Sequence, residues 1–347
     1  FKLQRKTKLK QFLFLSLVLI ACNSLNALAQ ERKFSFTREK MASPFTIILY
    51  HKDSAGANLL VNEGFNLADS FINIFSDYIP DSELNYLSSS SGSGKFIPVS
   101  PALYNIIRES EKAYVLSKGA FDITLAPVIR LWRKARKEKQ FPEASAISQK
   151  LKSVGFDKVK IDTTSKSVKL LEPGMQLDLG GIAQGYIAQK VLERLAQNNI
   201  KHALIDVSGD IAAGDPPPGK KGWIIGINLP ESEKLQNQHL QISNLSVSTS
   251  GDFYQYMEHE GKKFSHIIDP KTGYGITTQK NVTVIANDAT TADWLATACS
   301  ILTVKKAKQL AKRMHAEVLI AEMKNDRIVR SATRKFSYFY YLNPRND

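Results

Sequence analysis

Cysteine is scarce in this sequence. Its 347 residues include two, Cys22 and Cys299, and the first lies in a segment read below as removable. An intrachain disulfide is therefore excluded, as is a Cys/His zinc set of the usual spacing. A membrane-spanning run is also missing, because the apolar stretch 12–21 is too short to cross a bilayer as an ordinary helix. There is no Walker A lysine motif, no three-glycine dinucleotide fingerprint and no Gly-x-Ser-x-Gly elbow, which argues against P-loop, Rossmann and ordinary serine hydrolase chemistry. No fixed-period repeat and no long Pro/Gly/Ser linker divides the chain, so residues 30–347 read as one large domain.

What is present begins with an export signal. Lys2, Arg5, Lys6, Lys8 and Lys10 precede the apolar stretch, and Ala27, Leu28 and Ala29 offer small residues for cleavage. Residues 1–29 are read as a signal peptide and the protein as exported to the periplasm. Leu19-Ile20-Ala21-Cys22 also resembles a lipoprotein signal, so anchoring to the inner membrane through Cys22 stays open. Without the five Lys/Arg of this segment the formal charge falls from +14 to +9. For an exported chain that balance favours anionic phosphates or a membrane surface over nucleic acid. The densest basic cluster, Arg130, Arg133, Lys134, Arg136, Lys137 and Lys139, reads as a solvated helix face. Cys299, in an apolar helical stretch, reads as a small buried hydrophobe.

Periodicity predicts a buried strand at 45–50, helices over 65–78 and 101–118, and a hairpin over 158–171. Residues 177–179 read as a strand end, Gly180-Gly181 as a tight turn and 182–196 as a helix. Strand-like runs follow at 203–207, 223–227, 245–248, 264–268 and 282–286. Helices are expected at 291–302 and 307–315, then strands at 318–321 and 337–342. Segregated helices with antiparallel-looking strands argue for an α+β fold.

Three places carry candidate chemistry. The Gly180-Gly181 corner opens a helix whose N-terminal N–H groups suit an anion. Asp293 and Thr297 stand four apart on a helix, so carboxylate and hydroxyl emerge on one face and can share a hard cation such as Mg²⁺, or Asp293 merely favours the helix dipole. His266, between a strand and a turn marked by Pro270 and Gly273, suits either proton transfer or bracing of that turn.

In order and wording, several separated blocks resemble the ApbE family of FAD:protein FMN transferases. The blocks are Pro80-Asp81-Ser82-Glu83-Leu84, Gly119-Ala120-Phe121-Asp122-Ile123-Thr124, Leu177-Asp178-Leu179-Gly180-Gly181-Ile182-Ala183-Gln184-Gly185-Tyr186, Asp206-Val207-Ser208-Gly209-Asp210, Thr249-Ser250-Gly251, Ser265-His266-Ile267-Ile268-Asp269-Pro270-Lys271-Thr272-Gly273 and Ala292-Asp293-Trp294-Leu295-Ala296-Thr297-Ala298.

The resemblance implies a T-fold-like α+β domain. It further implies FAD contacts from Met41, Tyr78, Ala120, Phe121, Asp122, Asp178, Gln184 and Ile268, and Mg²⁺ held by Gly181, Asp293 and Thr297. The implied reaction moves FMN from FAD to a Thr or Ser of an acceptor protein and releases AMP, with His266 as the candidate base. Acceptors in such a family are subunits of membrane redox complexes or exported flavoproteins. An FAD pyrophosphatase and a non-catalytic FAD-binding protein are the alternatives. Three positions depart from the family pattern: Ala42 follows Met41 where a glycine is expected, Ser88 stands for an asparagine, and Ala296 replaces an aspartate that some members carry.

Overall fold

The computed structural model describes residues 31–227, 238–251, 256–325 and 327–341; the signal segment and Cys22 lie outside them. In chain order the elements begin with β1 (Arg32–Lys40), β2 (Ser43–His51), α1 (Ser54–Phe75), α2 (Glu83–Ser89), β3 (Ile97–Pro98), α3 (Pro101–Ser117), α4 (Ala126–Glu138) and α5 (Ala144–Leu151). Next come β4 (Val159–Asp162), β5 (Ser167–Leu170), α6 (Ala183–Gln197), β6 (Ala203–Val207), β7 (Asp210–Ala213), β8 (Trp223–Gly226), β9 (His239–Ile242), β10 (Ser246–Gly251), β11 (Tyr256–His259) and β12 (Lys262–Ser265). The last are β13 (Lys280–Ala286), α7 (Ala289–Ile301), α8 (Val304–Arg313), β14 (Glu317–Lys324), β15 (Arg327–Ala332) and β16 (Tyr340–Tyr341).

One antiparallel sheet, in the order β1-β2-β6-β7-β10-β13-β14-β15, forms the centre. Its strands alternate two apolar faces, because successive side chains point to opposite sides. On β2, Phe45, Ile47 and Leu49 join the core beneath α1, α6 and α7, whereas Ile48 and Tyr50 pack against the small sheet β16-β9-β8. Val318 and Ile320 against Leu319 and Ala321 repeat the pattern on β14. The result is a helical layer, a large sheet and a small sheet, which is the expected α+β architecture.

Local chemistry explains most boundaries. The stripe Ala57, Val61, Phe65 and Ala68 is buried along α1, so the helix begins at Ser54, well before the predicted 65. Asp53 accepts from Gly56 N–H at its start, and Ser76 turns extended at its end, which leaves Tyr78 outside the helix. Ser82 caps α2, a short helix that periodicity did not reveal. Residues 177–179 pair with no strand; Asp178 N–H bonds the Ile123 carbonyl instead, at 2.8 Å. The strand expected at 264–268 ends at Ser265, and the one expected at 337–342 is a 3₁₀ turn, Phe336–Phe339, leading into β16, with residue 342 outside the described residues. Cys299 is buried in α7, and burial pushes its thiol up to about 12, as fits a packing residue.

Lys280 fastens the far end of α7. It is 5% exposed, and its ammonium donates to the Leu302 carbonyl at 2.9 Å, where the negative end of the helix dipole receives it.

The β1–β2 turn carries a local cost. Met41 and Ala42 both adopt left-handed backbone, with φ of 54° and 55°. A two-residue hairpin turn of this hand matches strand twist but normally takes Asn or Gly. A Cβ in that region costs roughly 1 kcal/mol. Ala42→Gly is accordingly expected to stabilise the protein by up to about 1 kcal/mol, read as a higher denaturant midpoint at unchanged slope. A lower midpoint would show that the Ala42 methyl makes a contact worth more than the strain.

Candidate functional site

The site is built where α6 meets α7. Ile182 at the head of α6 offers no side-chain cap. Asp293 of α7 supplies one from outside: its Oδ2 accepts from Gly185 N–H at 2.9 Å. The approach needs glycine, since a Cβ at 185 would lie 2.2 Å from the Ala289 carbonyl oxygen and 2.7 Å from Asp293 Cβ. Oδ1 of Asp293 accepts no hydrogen bond among the described residues. Thr297 follows one turn later and comes against Gly181, where a Cβ would stand 3.1 Å from Thr297 Oγ1.

A second acid completes this corner. Asp210 opens β7 just after the turn Ser208–Gly209, is buried, and accepts from Ser248 Oγ of β10. Burial pushes the Asp210 carboxyl up to about 7. Burial also holds Asp293 well above the carboxylate range, the Asp210 charge adds to this, and the Gly185 N–H opposes it. Two buried acids with little neutralisation resist ionisation, and each raises the cost of charging the other.

The opposite wall carries the reverse sign. Arg133 of α4 donates to Asp178 Oδ2 at 2.7 Å and pairs with Asp77, while its guanidinium lies 4.6 Å from the Tyr78 ring centroid. Burial still leaves Asp178 above the usual range despite Arg133. The basic cluster is thus not simply a solvated face. Lys134, Lys137 and Lys139 are exposed, but Arg130 reaches Asn85 Oδ1 at 3.0 Å and Arg133 and Arg136 line the cleft. The division follows helical spacing around buried Trp132 and Ala135.

His266 enters from the segment after β12. The turn beyond it is fixed by Gly273 N–H to the Asp269 carbonyl and by Trp132 Nε1 to the Gly273 carbonyl, both 2.8 Å. On the remaining side Asp122 accepts from Thr124 N–H and Oγ1, and burial raises its carboxyl to about 6.

These walls enclose a cleft of about 600 Å³, within the range of small-molecule sites. Tyr78, Ala120, Phe121, Asp122, Asp178, Gly181, Gln184, His266, Ile268, Asp293 and Thr297 all line it. Met41 does not: it sits in the β1–β2 turn, outside the lining. Arg133, Arg136, Asp210 and Ser248 line the cleft too, although sequence reasoning gave them no role. A larger hollow of about 1480 Å³ lies across the large sheet. Its lining includes one acid, Asp206, and no histidine among the described residues.

The family model of the ApbE family matches residues 41–320. The chain belongs to the ApbE family. Curated relatives include the FAD:protein FMN transferases of Haemophilus influenzae, 32% identical over 74% of this chain and 77% of that protein, and of Treponema pallidum, 30% identical over 85% and 86%. The apo flavinyl transferase ApbE of Pseudomonas stutzeri superposes with a TM-score of 0.81 at 26% identity, covering 90% of this chain and 98% of that one. The ApbE protein of Thermotoga maritima gives 0.79 at 25% identity, over 89% and 99%.

Two departures from the ApbE pattern have structural explanations. Ser88 is buried and accepts from Leu177 N–H at 3.3 Å, next to Asp178, so it braces the cleft wall without lining it. Ala296 is fully buried in the core and faces away from the lining.

Because Asp210 holds its proton to a higher pH folded than unfolded, its contribution to stability is present below the unfolded value and lost as pH rises to about 7. Asp210→Asn removes that loss. In chelator, the variant is expected to melt above the wild type at about pH 8, with the two melting temperatures converging toward about pH 4. A gap that does not change with pH would show that Asp210 is not the group responsible.

Proposed function

We propose that this protein cleaves FAD and transfers the FMN half through a phosphoester bond to a Thr or Ser hydroxyl of an acceptor protein, with release of AMP. The observation that carries the reading is the convergence, in one cleft, of the buried pair Asp293 and Asp210 with Thr297, Gly181 and His266, in a chain of the ApbE family. All donors at the α6–α7 corner are oxygen: a carboxylate, a hydroxyl and a backbone carbonyl. Once its acids are ionised, that set fits a hard divalent cation. No cluster of three His, Cys, Asp or Glu side chains able to hold a metal occurs among the described residues, and the proposed set needs only one such side chain. Asp293, Thr297 and the Gly181 carbonyl would hold Mg²⁺. When bound, the ion supplies charge neutralisation for the pyrophosphate.

The chain's own residues account for the rest. Tyr78 and Phe121 offer aromatic surface for the isoalloxazine, with Ile268 on the apolar lining. Ala120, Asp122, Asp178 and Gln184 set the remaining contacts with FAD. The acceptor hydroxyl oxygen attacks the phosphorus on the riboflavin side, the bond to the bridging oxygen breaks, and AMP leaves with that oxygen. His266 takes the hydroxyl proton and returns it to solvent or to the leaving phosphate. Residues 1–29 direct export to the periplasm, by cleavage after Ala29 or with a lipid anchor at Cys22. The acceptor is then a subunit of a membrane redox complex or an exported flavoprotein.

The test incubates the protein with FAD and Mg²⁺, with and without a flavin-acceptor domain, and measures AMP, free FMN and acceptor mass. AMP together with a mass gain of one FMN is expected. AMP with free FMN alone means hydrolysis, and unchanged FAD removes both enzyme readings. Asp293→Ala is expected to abolish Mg²⁺-dependent AMP release while FAD still binds; full activity would refute the metal assignment. His266→Ala is expected to slow transfer about 100-fold or more with little change in FAD affinity. Equal losses in rate and affinity would mark His266 as a brace for its turn.

A further inference from the structure

A second groove, about 640 Å³, runs beside the cleft and shares Ala120 and Ile301 with it. The end of α3, the end of α7, one side of α8 and the turn at 269–271 form its walls. Five cations line it, Lys118, Lys271, Lys306, Lys312 and Arg313, against the single acid Asp269. None of the five forms an ion pair among the described residues. Arg313 bonds only a carbonyl, that of Leu116 at 3.0 Å. This differs from the cleft itself, where Arg133 is held between two carboxylates. The five are exposed at the surface, and their positive charge is uncompensated.

We propose that this groove docks an acidic segment of the acceptor protein and leads its hydroxyl into the cleft. The inference rests on the functional reading above. An acceptor hydroxyl has to reach a phosphorus inside the cleft, so the flanking chain needs a surface that adjoins it, and this groove does. Unpaired lysines at a rim accelerate and orient the docking of an oppositely charged partner. The groove has no aromatic ring on which a base or flavin would stack. Lysine supplies point charges rather than the bidentate fork that fixes a phosphate, and four of the five cations are lysines.

The experiment uses the full chain and two short fluorescent peptides, each with one Thr, one carrying Asp and Glu around it and the other Asn and Gln at the same positions. Binding is read by anisotropy, FAD binding by flavin fluorescence, and folding by the melting temperature. The acidic peptide is expected to bind at least about ten-fold more tightly than the neutral one, and to lose that advantage as salt rises or in the double variant Lys306→Glu, Lys312→Glu. FAD binding and the melting temperature should stay at wild-type levels in that variant, which shows that it is folded. Equal affinity for the two peptides, or acidic-peptide binding that survives the charge reversals, overturns the docking surface. If the reversals weaken FAD binding instead, the groove belongs to the nucleotide and the proposal falls. Absence in the wild type of FAD binding, or of AMP release with a flavin-acceptor domain present, refutes the functional reading, a failure distinct from loss of peptide discrimination.

Discussion

Everything at the site depends on the close approach of α6 and α7 that Gly185 permits. With no Cβ at 185, the Asp293 carboxylate reaches the Gly185 N–H and caps a helix whose own N-cap residue, Ile182, cannot. One carboxylate therefore closes the helix end, one turn before Thr297 comes against Gly181. The Asp293 carboxylate is thus part of the packing that joins the two helices. At the other end of α7, Lys280 anchors the helix from the sheet. The helix that carries Asp293 and Thr297 is thus fixed at both termini.

Charge is sorted by position as well as by amount. Negative groups are buried at the α6–α7 corner, where Asp293 and Asp210 lie near one another at low exposure. Arginine is paired on the α4 wall, and lysine is left unpaired in the adjoining groove. Burial makes the acids resist ionisation, Arg133 is held between two carboxylates, and the lysines of the groove stay exposed to solvent. The same net positive charge would describe many unrelated proteins; its distribution gives it meaning here.

Some elements were legible because they depend on neighbours in sequence. The run of β-formers at 45–50, the apolar stripe of α6 and the Pro101 start of α3 are local patterns, and the structure follows them. Others were not. The early start of α1 was hidden because its first turns bury small or widely spaced residues, Ala57 and Val61. Residues 177–179 look like a strand, yet they bond the loop at Ile123 rather than a sheet. Among site residues, the spacing of Asp293 and Thr297 marked a pair on one helix face, but Asp210 and Ser248 come from separate strands and Arg133 from a helix that otherwise looks solvated.

The sequence alone determined the α+β class, the Gly180-Gly181 corner, the face shared by Asp293 and Thr297, and the family resemblance, because each is written in spacing or in contiguous wording. Tertiary structure decided which of these meet. It placed Met41 outside the cleft and His266 within it, divided one basic cluster between cleft and solvent, and set Asp210 beside Asp293 across many intervening residues. The physical reason is that periodicity reports which side of an element is buried, whereas burial of charge depends on what other elements bring to that side.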